Sequence, residues 1–396
     1  MNIQEIEIDK LIPYHNNPRK DQAVDKVASS INEYGFQQPI VVDKNMVVIV
    51  GHTRLLGAKK LGLSKVPVYI ADLSESKAKA YRIADNRLNE DSNWDFNLLD
   101  LEIKNLLDDD YDIDLLGFDS SELDKFLTND EEYLTDEDET PELPKEPISK
   151  LGDIYQLGEH RLMCGDSTSI DNLDQLCETK ADMIFTDPPY GMEYGGGRAK
   201  GSTPKGAKEK THSMIINDDL KGNDLINLVK DALATTYLKT KNGSSSYICF
   251  TWRTYSEFEN AVKTSGFKIK NCIVWNKKSI GLGQSNYRPQ HEFIFYCGEQ
   301  WYGDKSQSDV WEMSRGNTSS YVHPTQKPVE LIEKAIKNSS KMEDIVIDCF
   351  GGSGSTLIAC EKTKRKCYMM ELDPKYVDVI IKRWENFTGN EAKRIN

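Results

Sequence analysis

Two patterns of apolar and polar residues alternate along this chain, and they predict a mixture of strands and helices. Short apolar runs rich in β-branched residues, such as 183–186 and 344–348, are typical of buried strands. Apolar residues at helical spacing follow several of these runs, for example over 376–384. Because strands that alternate with helices build parallel sheets covered on both faces, the pattern predicts an α/β fold with a mostly parallel, doubly wound sheet.

The first 95 residues carry a smaller and separate set of elements. Apolar positions on one helix face predict a helix over 24–34. Strands are predicted at 40–43 and 47–50, joined by the turn residues Lys44-Asn45. We therefore predict an α+β domain over 1–95, distinct from the larger α/β region.

Acidic residues are concentrated between these two regions. Residues 101–150 hold 18 Asp and Glu against four Lys, which accounts for the whole formal net charge of −14 in this chain of 396 residues. A charged stretch that ends in prolines is typical of a solvated spacer. We therefore predict a partly helical linker over 96–148 and a second domain over 149–396. The alternative is a polyanion mimic that regulates a basic surface of the same chain.

A basic region lies beyond the linker. Residues 191–290 carry 16 Lys and Arg against eight acids, so the distribution of charge, more than its sum, favours a polyanionic partner. A glycine-rich loop within it supplies the candidate contacts, and an idle surface loop is the alternative. These candidate residues are Arg198, Lys200, Lys205, Lys208 and Lys210.

The composition excludes several other classes of protein. All eight cysteines fall at or after Cys164 and form no Cys-x-x-Cys pair, so we expect reduced thiols and no disulfide framework or metal site. The first residues are not a signal peptide, and the apolar runs are far shorter than the ~20 residues that span a bilayer. We expect a cytoplasmic protein without a membrane partner.

The most informative motif is Asp187-Pro188-Pro189-Tyr190, which follows the predicted strand at 183–186. Asp187 and the Pro188 carbonyl can both accept hydrogen bonds from one exocyclic NH2 group. Proline fixes φ, which holds that carbonyl in one direction, and Tyr190 offers a ring on which a heterocycle can stack. The alternative for this tetrapeptide is an ordinary turn.

A second motif predicts a nucleoside cofactor. A strand ends at Asp348, and a glycine-rich turn then leads into a helix, where backbone N–H groups can approach a ligand closely. The next strand ends in Glu371, about 20 residues after Asp348, as expected for the ribose-binding acid of a Rossmann-type βαβ unit. Asp373 and Pro374 then predict the start of another helix.

Together these motifs resemble the amino-group DNA methyltransferases that use S-adenosylmethionine, in the beta-type order where the target motif precedes the cofactor motif. The resemblance covers 150–388 and implies a Rossmann-like methyltransferase domain. It implies that Asp166 meets the cofactor's adenine and that a segment with Thr325 and Lys327 closes over its methionine moiety. The cofactor-binding residues that it implies are Asp166, Thr325, Lys327, Asp348, Phe350, Gly352, Ser353, Gly354, Ser355 and Glu371.

The resemblance also implies a reaction. Asp187, Pro188, Pro189 and Tyr190 would hold the exocyclic N6 amine of an adenine flipped out of double-stranded DNA. Asp at the first position favours adenine, because Ser is commoner there in the members that methylate cytosine amines. An N4-cytosine DNA methyltransferase is the alternative, and an RNA or glutamine methyltransferase is a third option. Restriction–modification is the expected context, and a homodimer stays open.

The N-terminal region resembles the ParB/sulfiredoxin-like domain, chiefly in the stretch 51–62. His52-Thr53 stands where ParB-type members commonly carry Glu-Arg, so CTP hydrolysis is not expected, and sulfiredoxin chemistry is excluded because no cysteine precedes Cys164. Gly51 and Arg54 are candidates for holding a nucleotide or DNA phosphate at a helix N-terminus, with a surface salt bridge as the alternative for Arg54. A non-catalytic ParB-like DNA-binding or partition protein is the alternative from another class.

Overall fold

The chain divides into two units in its computed structural model, Met1–Leu127 and Thr128–Asn396. The structure describes residues 2–15, 23–88, 96–109, 111–118, 122–123, 133–191, 220–280, 286–304, 306–314 and 326–396.

The first unit contains a four-stranded sheet in the order β1-β4-β2-β3. β2 and β3 pair antiparallel, which confirms the predicted strand pair, and β4 runs parallel to β2 and antiparallel to β1. The strands are β1 Ile3–Glu7, β2 Ile40–Val42, β3 Val48–Val50 and β4 Lys65–Ile70, and the helices are α1 Val24–Tyr34, α2 His52–Lys60, α3 Glu75–Leu88 and α4 Phe96–Asp108, with 3-10 turns at Ile8–Lys10 and Ile113–Leu116.

The predicted helix over 24–34 is confirmed, and its packing explains its pattern. Ala28 and Ile31 are the buried residues of α1, and Gly57 of α2 leaves room for them: a Cβ on Gly57 would lie 3.2 Å from the Ala28 nitrogen. The helix ends where Gly35 takes a φ of +71°, a conformation that glycine reaches without steric cost.

The second unit is built on a ten-stranded mixed sheet in the order β11-β9-β10-β8-β7-β12-β13-β6-β5-β14. The central strands from β8 to β6 are parallel to one another, and antiparallel pairs flank them on both sides. The strands are β5 Ile154–Leu157, β6 His160–Cys164, β7 Ala181–Thr186, β8 Thr240–Phe250, β9 Ile269–Asn276, β10 His291–Cys297, β11 Val310–Glu312, β12 Ile345–Asp348, β13 Lys366–Glu371 and β14 Lys393–Arg394. The predicted α/β class is confirmed, with more antiparallel pairing at the sheet margins than expected.

Helices cover the central parallel strands, which are buried as the continuous apolar runs predicted. These helices are α5 Ile170–Leu176, α6 Asn223–Leu238, α7 Tyr255–Thr264, α8 Val329–Ser339, α9 Ser355–Lys362 and α10 Pro374–Thr388, with a 3-10 turn at Trp252–Thr254. In the parallel register, Ile347 of β12 lies beside Ile184 of β7 and Asp348 beside Met369 of β13. The carboxyl ends of β7, β12 and β13 therefore meet at one edge of the sheet, where ligands of open α/β folds bind.

Residues 133–149, which we call the strap, contact α10 at both of their ends. The Tyr133 ring stacks on Phe387 with 4.1 Å between ring centroids. The Ser149 hydroxyl donates to the Asp378 carboxylate at 2.6 Å. Many residues of the strap are exposed, as predicted for a spacer, but both of its ends are bound to α10. Charge-rich composition alone does not reveal which polar groups find partners on a folded neighbour.

Three further expectations concern the whole chain. Across the residues that the structure describes, no helix combines the length and apolar character needed to cross a bilayer. The same residues contain no group of three or more His, Cys, Asp or Glu placed to hold a metal ion. All eight cysteines are free thiols, and all but Cys272 are buried.

Candidate active site

A cavity opens at the carboxyl edge of the central strands, and both sequence motifs line it. The target motif follows β7, the glycine-rich turn follows β12, and Glu371 ends β13. The lining includes Gly165, Asp166, Ser167, Asp187, Pro188, Pro189, Tyr190, Gln326, Lys327, Asp348, Phe350, Gly351, Gly352, Ser353, Ser355, Glu371, Leu372 and Tyr376. Residues that are 161 positions apart in sequence, such as Asp187 and Asp348, thus share one site because parallel strands align their ends.

Two donors from within the protein hold the Asp187 carboxylate. The Lys327 ammonium donates to Oδ2 at 2.5 Å, and the Tyr190 hydroxyl donates to Oδ1. Lys327 also lies 3.2 Å from the Tyr190 hydroxyl oxygen and 3.3 Å from the Glu292 carboxylate. Each carboxylate oxygen of Asp187 can accept more than one hydrogen bond, so the group keeps capacity for a target amine.

Burial sets the protonation states in this cluster. Desolvation of the Lys327 ammonium favours its neutral form, but the nearby carboxylates of Asp187 and Glu292 outweigh it and raise the pKa of Lys327. Burial and the Asp187 charge raise the pKa of Tyr190 well above its usual value. At neutral pH the site therefore holds an ammonium and a neutral phenol, both in contact with Asp187.

Tyr190 is more enclosed than its predicted stacking role suggests. It is 6% exposed, and its ring meets Phe258 edge-on at 6.0 Å between centroids. Its hydroxyl faces Asp187, so its ring offers little area to a stacked base in this structure. Pro188 beside it is buried, whereas Pro189 is half-buried.

Asp348 organises the turn after β12. Its carboxylate accepts hydrogen bonds from the Thr356 hydroxyl at 2.6 Å, the Thr186 hydroxyl at 3.0 Å and the Phe350 N–H at 3.1 Å. Burial raises the pKa of Asp348 to about 7, although these three donors act in the opposite direction. The Thr356 hydroxyl therefore acts on Asp348, whereas the neighbouring Ser355 hydroxyl accepts a hydrogen bond from Arg383.

Glycine is required in the turn for two physical reasons. Gly354 takes a φ of +85° as the N-cap of α9, a left-handed conformation that costs other residues energy. A Cβ on Gly351 would lie 2.8 Å from the Met369 sulfur, so a side chain there would displace the packing of β13. The bare backbone of this turn leaves space for a ligand to approach.

Glu371 stands opposite the turn and is tied to it. Its carboxylate accepts from the Gly352 N–H at 2.7 Å and from the Asp373 N–H at 2.8 Å. Burial raises the pKa of Glu371 to about 7 against the effect of these two donors. Asp166, on the exposed rim, accepts from the Thr168 N–H at 2.9 Å. Acceptors at two points, an open backbone cradle and apolar walls fit a nucleoside with a ribose diol.

Lys327 lies in the same cavity as the predicted cofactor residues, but its ammonium contacts the target motif. Ser353 and Ser355 meet Arg383 of α10, whose guanidinium donates to the Ser353 carbonyl at 2.9 Å and the Ser355 hydroxyl at 3.2 Å. The remaining candidates lie outside the described residues. These are Thr325, Arg198, Lys200, Lys205, Lys208 and Lys210.

In the first unit, Gly51 is the left-handed N-cap of α2 with a φ of +97°. The Arg54 guanidinium donates to the Gln38 carbonyl at 2.9 Å and to the Pro39 carbonyl at 3.2 Å. His52 accepts the Tyr14 N–H, and burial lowers the pKa of His52 to about 4. Arg54 therefore supports the loop before β2 in this structure, and the salt bridge considered above is not among its described contacts.

Sequence reasoning missed several residues that hold this site together. Glu292 lies on the antiparallel strand β10, Arg383 lies on α10, and Thr186 is the last residue of β7. None of the three belongs to a recognisable sequence motif. Gln326 lies between Thr325 and Lys327, the two residues predicted to close over the methionine moiety, and that adjacency was the available signal.

The fold and this cavity define a protein that binds a nucleoside-type cofactor at the carboxyl edge of a Rossmann-like sheet. The chain belongs to the DNA methylase family, because the sequence profile of that family matches residues 181–383. Members of the family use S-adenosylmethionine to methylate DNA, so the chain is an S-adenosylmethionine-dependent DNA methyltransferase. The resemblance drawn from the two motifs is confirmed.

The N-terminal resemblance is confirmed as well. The profile of the ParB N-terminal domain matches residues 1–87. The profile of the ParB-methyltransferase HTH domain matches residues 97–151, which covers most of the stretch that composition marked as a linker. The helix α4 lies within this match.

Similar proteins cover more than half of the chain. The chain is 25% identical over 247 residues to the Type II methyltransferase M2.MboI of Moraxella bovis, across 57% of this chain and 89% of that protein. It is 26% identical to the Type II methyltransferase M2.LlaDCHI of Lactococcus lactis subsp. cremoris, across 53% of this chain and 84% of that protein. The solved M1.HpyAVI–SAM complex aligns with a TM-score of 0.42 and 23% identity, across 56% of this chain and 97% of the other.

Proposed function

We propose that this DNA methyltransferase transfers the methyl group to the exocyclic N6 amine of a flipped-out adenine. The observation that carries the proposal is the Asp187 carboxylate, which stands in the same cavity as the glycine-rich turn and Glu371. A carboxylate and a proline carbonyl accept both hydrogens of an exocyclic amine. Asp at this position supports adenine over cytosine on the resemblance stated above.

The residues of the motif act on the amine nitrogen. An aromatic amine is a poor nucleophile because its lone pair is delocalised into the ring. Hydrogen bonds from the amine to Asp187 and to the Pro188 carbonyl return electron density to nitrogen and favour the pyramidal geometry of attack. Catalysis is then chiefly the in-line positioning of nitrogen against the methyl group.

Lys327 and Tyr190 prepare the carboxylate for this role. The ammonium donates a hydrogen bond to one oxygen of Asp187 and the phenol donates to the other. These two bonds fix the plane of the carboxylate. The ammonium also places a positive charge directly beside the Asp187 carboxyl group inside the cavity. The amine thus meets an oriented acceptor.

S-Adenosylmethionine supplies an activated sulfonium methyl group when bound. We assign its ribose hydroxyls to Glu371, its adenine to the rim at Asp166, and its methionine moiety to the turn from Phe350 to Gly354. Apolar side chains from Leu372 and Tyr376 complete the lining. These assignments place the methyl-donor site beside Asp187 along the carboxyl edge of the sheet.

The first unit, in this proposal, raises the local concentration of DNA and takes no part in chemistry. Its ParB-type and HTH-type matches support a DNA-binding role. Gly51 and Arg54 remain candidates for a DNA or nucleotide phosphate, provided that Arg54 exchanges its backbone carbonyl partners for the phosphate.

The test is incubation of the full chain with labelled S-adenosylmethionine and double-stranded DNA of varied sequence, followed by nucleoside mass spectrometry. N6-methyl-2′-deoxyadenosine is the expected product. N4-methyl-2′-deoxycytidine would replace the base assignment and keep the enzyme class. Absence of any methylated nucleoside across a genomic DNA sample would refute the proposed activity.

A further inference from the structure

The strap reaches into the catalytic cavity through one glutamine. The Thr140 hydroxyl donates to the Gln326 side-chain carbonyl at 2.9 Å, and the Gln326 amide donates to the Asp138 carbonyl oxygen at 2.9 Å. Thr140 is 7% exposed and Gln326 is 3% exposed, so both bonds are shielded from water. An amide held at both its donor and its acceptor has one orientation.

A third hydrogen bond joins the strap to residue 329, three positions after Gln326. The Asp138 carboxylate accepts the Val329 N–H at 3.1 Å, at the start of α8. The N-cap of α8 is Pro328, which has no side-chain oxygen with which to cap the helix. Because the first N–H groups of a helix need acceptors, Asp138 does the capping that Pro328 cannot do.

Lys327 lies between these two anchor points. We propose that the strap is a positioning element for methyl transfer, and that through Thr140 and Gln326 it sets where the Lys327 ammonium meets Asp187. This inference rests on the proposed function. A lysine side chain is long and flexible, so its reach is defined only when its backbone is held and its stem is buried. Small displacements of a positioning group slow a reaction that depends on in-line geometry.

The strap is tied to the cofactor side of the cavity by a separate contact. The Arg383 guanidinium donates to the Glu137 carbonyl at 2.6 Å and also to the Ser353 carbonyl at 2.9 Å. One buried side chain thus joins the strap to the glycine-rich turn. The Thr140 contact acts on the target side and the Arg383 contact on the cofactor side, so the two effects can be measured separately.

The strap also falls within the stretch 97–151 that matches the ParB-methyltransferase HTH profile. The segment that carries the HTH match therefore includes the residues that contact Gln326, next to Lys327. A change in the strap would alter the rate of methyl transfer with little effect on cofactor affinity, if it acts through Gln326 alone.

The experiment uses the full chain with Thr140→Val, which removes the hydroxyl and keeps the shape. We expect the single-turnover rate with saturating S-adenosylmethionine and DNA to fall about three- to tenfold, as for one lost hydrogen bond. Calorimetric affinity for S-adenosylmethionine should stay within about twofold, a shift of under 0.5 kcal/mol. Thr140→Ser keeps the donor and should restore the rate.

Thr264→Val is the matched control. Thr264 is exposed at the end of α7 and donates its hydroxyl to the Asn260 carbonyl at 2.7 Å, so the same substitution also breaks a hydroxyl bond there, away from the strap and the cavity. Its transfer rate should equal that of the unmodified protein. A double mutant of Thr140→Val with Gln326→Leu should be no slower than Gln326→Leu alone, because both act through one contact.

Amide hydrogen exchange supplies a readout that needs no activity. Thr140→Val should speed exchange in the peptide that begins α8 at Val329, and Thr264→Val should not. An unchanged transfer rate, an equal loss in Thr140→Ser, or unchanged exchange at α8 would overturn the inference. If the unmodified protein methylates no DNA, the proposed function fails, and the exchange result still decides whether the strap holds this segment.

Discussion

At the residue scale, Asp187 is one member of a buried charge cluster, and this changes what its removal should do. Lys327 is 5% exposed and contacts both Asp187 and Glu292. Burying an ammonium is costly unless carboxylates accompany it. A substitution at Asp187 therefore removes a contact to the target amine and half of the compensation for Lys327 at once.

Asp187→Ala should reduce the single-turnover rate roughly 10²–10³-fold, comparable with removal of one transition-state hydrogen-bonding group. It should also lower the free energy of unfolding by up to about 3 kcal/mol, since Lys327 keeps only Glu292 as a counterion. Affinity for S-adenosylmethionine should change little, because the lost contact lies on the target side. Single-turnover kinetics, denaturant unfolding and calorimetry measure the three quantities.

The matched variant is Asp187→Asn, which keeps an oxygen for Lys327 and loses the charge. It should be less destabilised than the alanine variant and still slow. Transfer near the normal rate in either variant would remove Asp187 from the catalytic motif.

We expect Glu371 to carry the pH dependence of cofactor binding. Its pKa is raised to about 7 by burial, so the free protein takes up a proton there as pH falls through 7. In the proposed site the ribose hydroxyls donate to the ionised carboxylate, so binding should favour the charged form. Affinity should be constant above about pH 8 and fall below pH 7 by up to about tenfold per unit.

Calorimetry across this pH range, in two buffers of different ionisation enthalpy, should show proton release on binding below pH 7. Glu371→Gln should bind about 1.5–3 kcal/mol more weakly, the range for hydrogen bonds to a charged group. The affinity of this variant should also depend less on pH. Any pH dependence that is left would come from Asp348, whose pKa is also about 7. Affinity independent of pH in the unmodified protein would contradict the ribose assignment.

At the scale of elements, the turn between β12 and α9 brings the cofactor site together. Asp348 gathers the hydroxyls of Thr186 from β7 and Thr356 from α9, and so joins two strands and a helix. Gly354 then starts α9 in a left-handed conformation next to Ile380. A Cβ at position 354 would lie 3.1 Å from the Ile380 side chain. Any other residue at this position would therefore face both the strain of the left-handed conformation and the steric crowding by Ile380.

Gly354→Ala should be compared with Gly243→Ala. Both glycines lie in the second unit with φ near +85° and +83°, but a Cβ at Gly243 would meet open space. Gly243→Ala should cost about 1–2 kcal/mol of unfolding free energy from the left-handed conformation alone. Gly354→Ala should cost about 1–3 kcal/mol more from crowding and should weaken cofactor binding. Equal losses in denaturant unfolding would show that Ile380 yields freely.

At the scale of the whole molecule, the boundary between the two units falls at Leu127–Thr128, ahead of the strap. The cofactor motifs, the strap and its partners therefore all lie in the second unit. The first unit holds the ParB-type match and α4.

A protein truncated to 128–396 should fold, bind S-adenosylmethionine and methylate the same DNA sequence as the full chain. Its DNA affinity should be weaker and less dependent on salt, because phosphate contacts from the first unit are lost. Binding isotherms at several salt concentrations and sequencing of methylated bases measure both properties. A changed target sequence would show that the first unit reads bases.

Truncation to 149–396 is the informative comparison, since it removes Thr140 and Asp138 together with the cap of α8. It should be slower in methyl transfer and less stable than the protein that begins at residue 128. Equal rates and equal stability would mean that the strap contributes nothing to the second unit.

The amino-acid sequence alone determined those features of the protein that depend on residues close together in the chain. The motif from Asp187 to Tyr190, the glycine-rich turn and Glu371 are recognisable because strand, turn and helix signals act over a few residues. The predicted helix start at Asp373-Pro374 is confirmed, with the Asp373 carboxylate accepting the Lys375 N–H at 2.9 Å. Family resemblance followed from the order of these parts.

Only the tertiary structure decided which side chains meet across long separations. Lys327 reaches Asp187, 140 residues away, and Thr140 reaches Gln326, 186 residues away. Composition predicted that the strap is solvated, because charge and proline content carry no information about the residues that a segment contacts in the folded protein. Hydrogen bonds depend on both partners, and the strap finds partners on α10, on α9, at the start of α8 and at Gln326 just before it. Composition thus predicts a spacer, whereas the structure shows that the strap is hydrogen-bonded to the second unit.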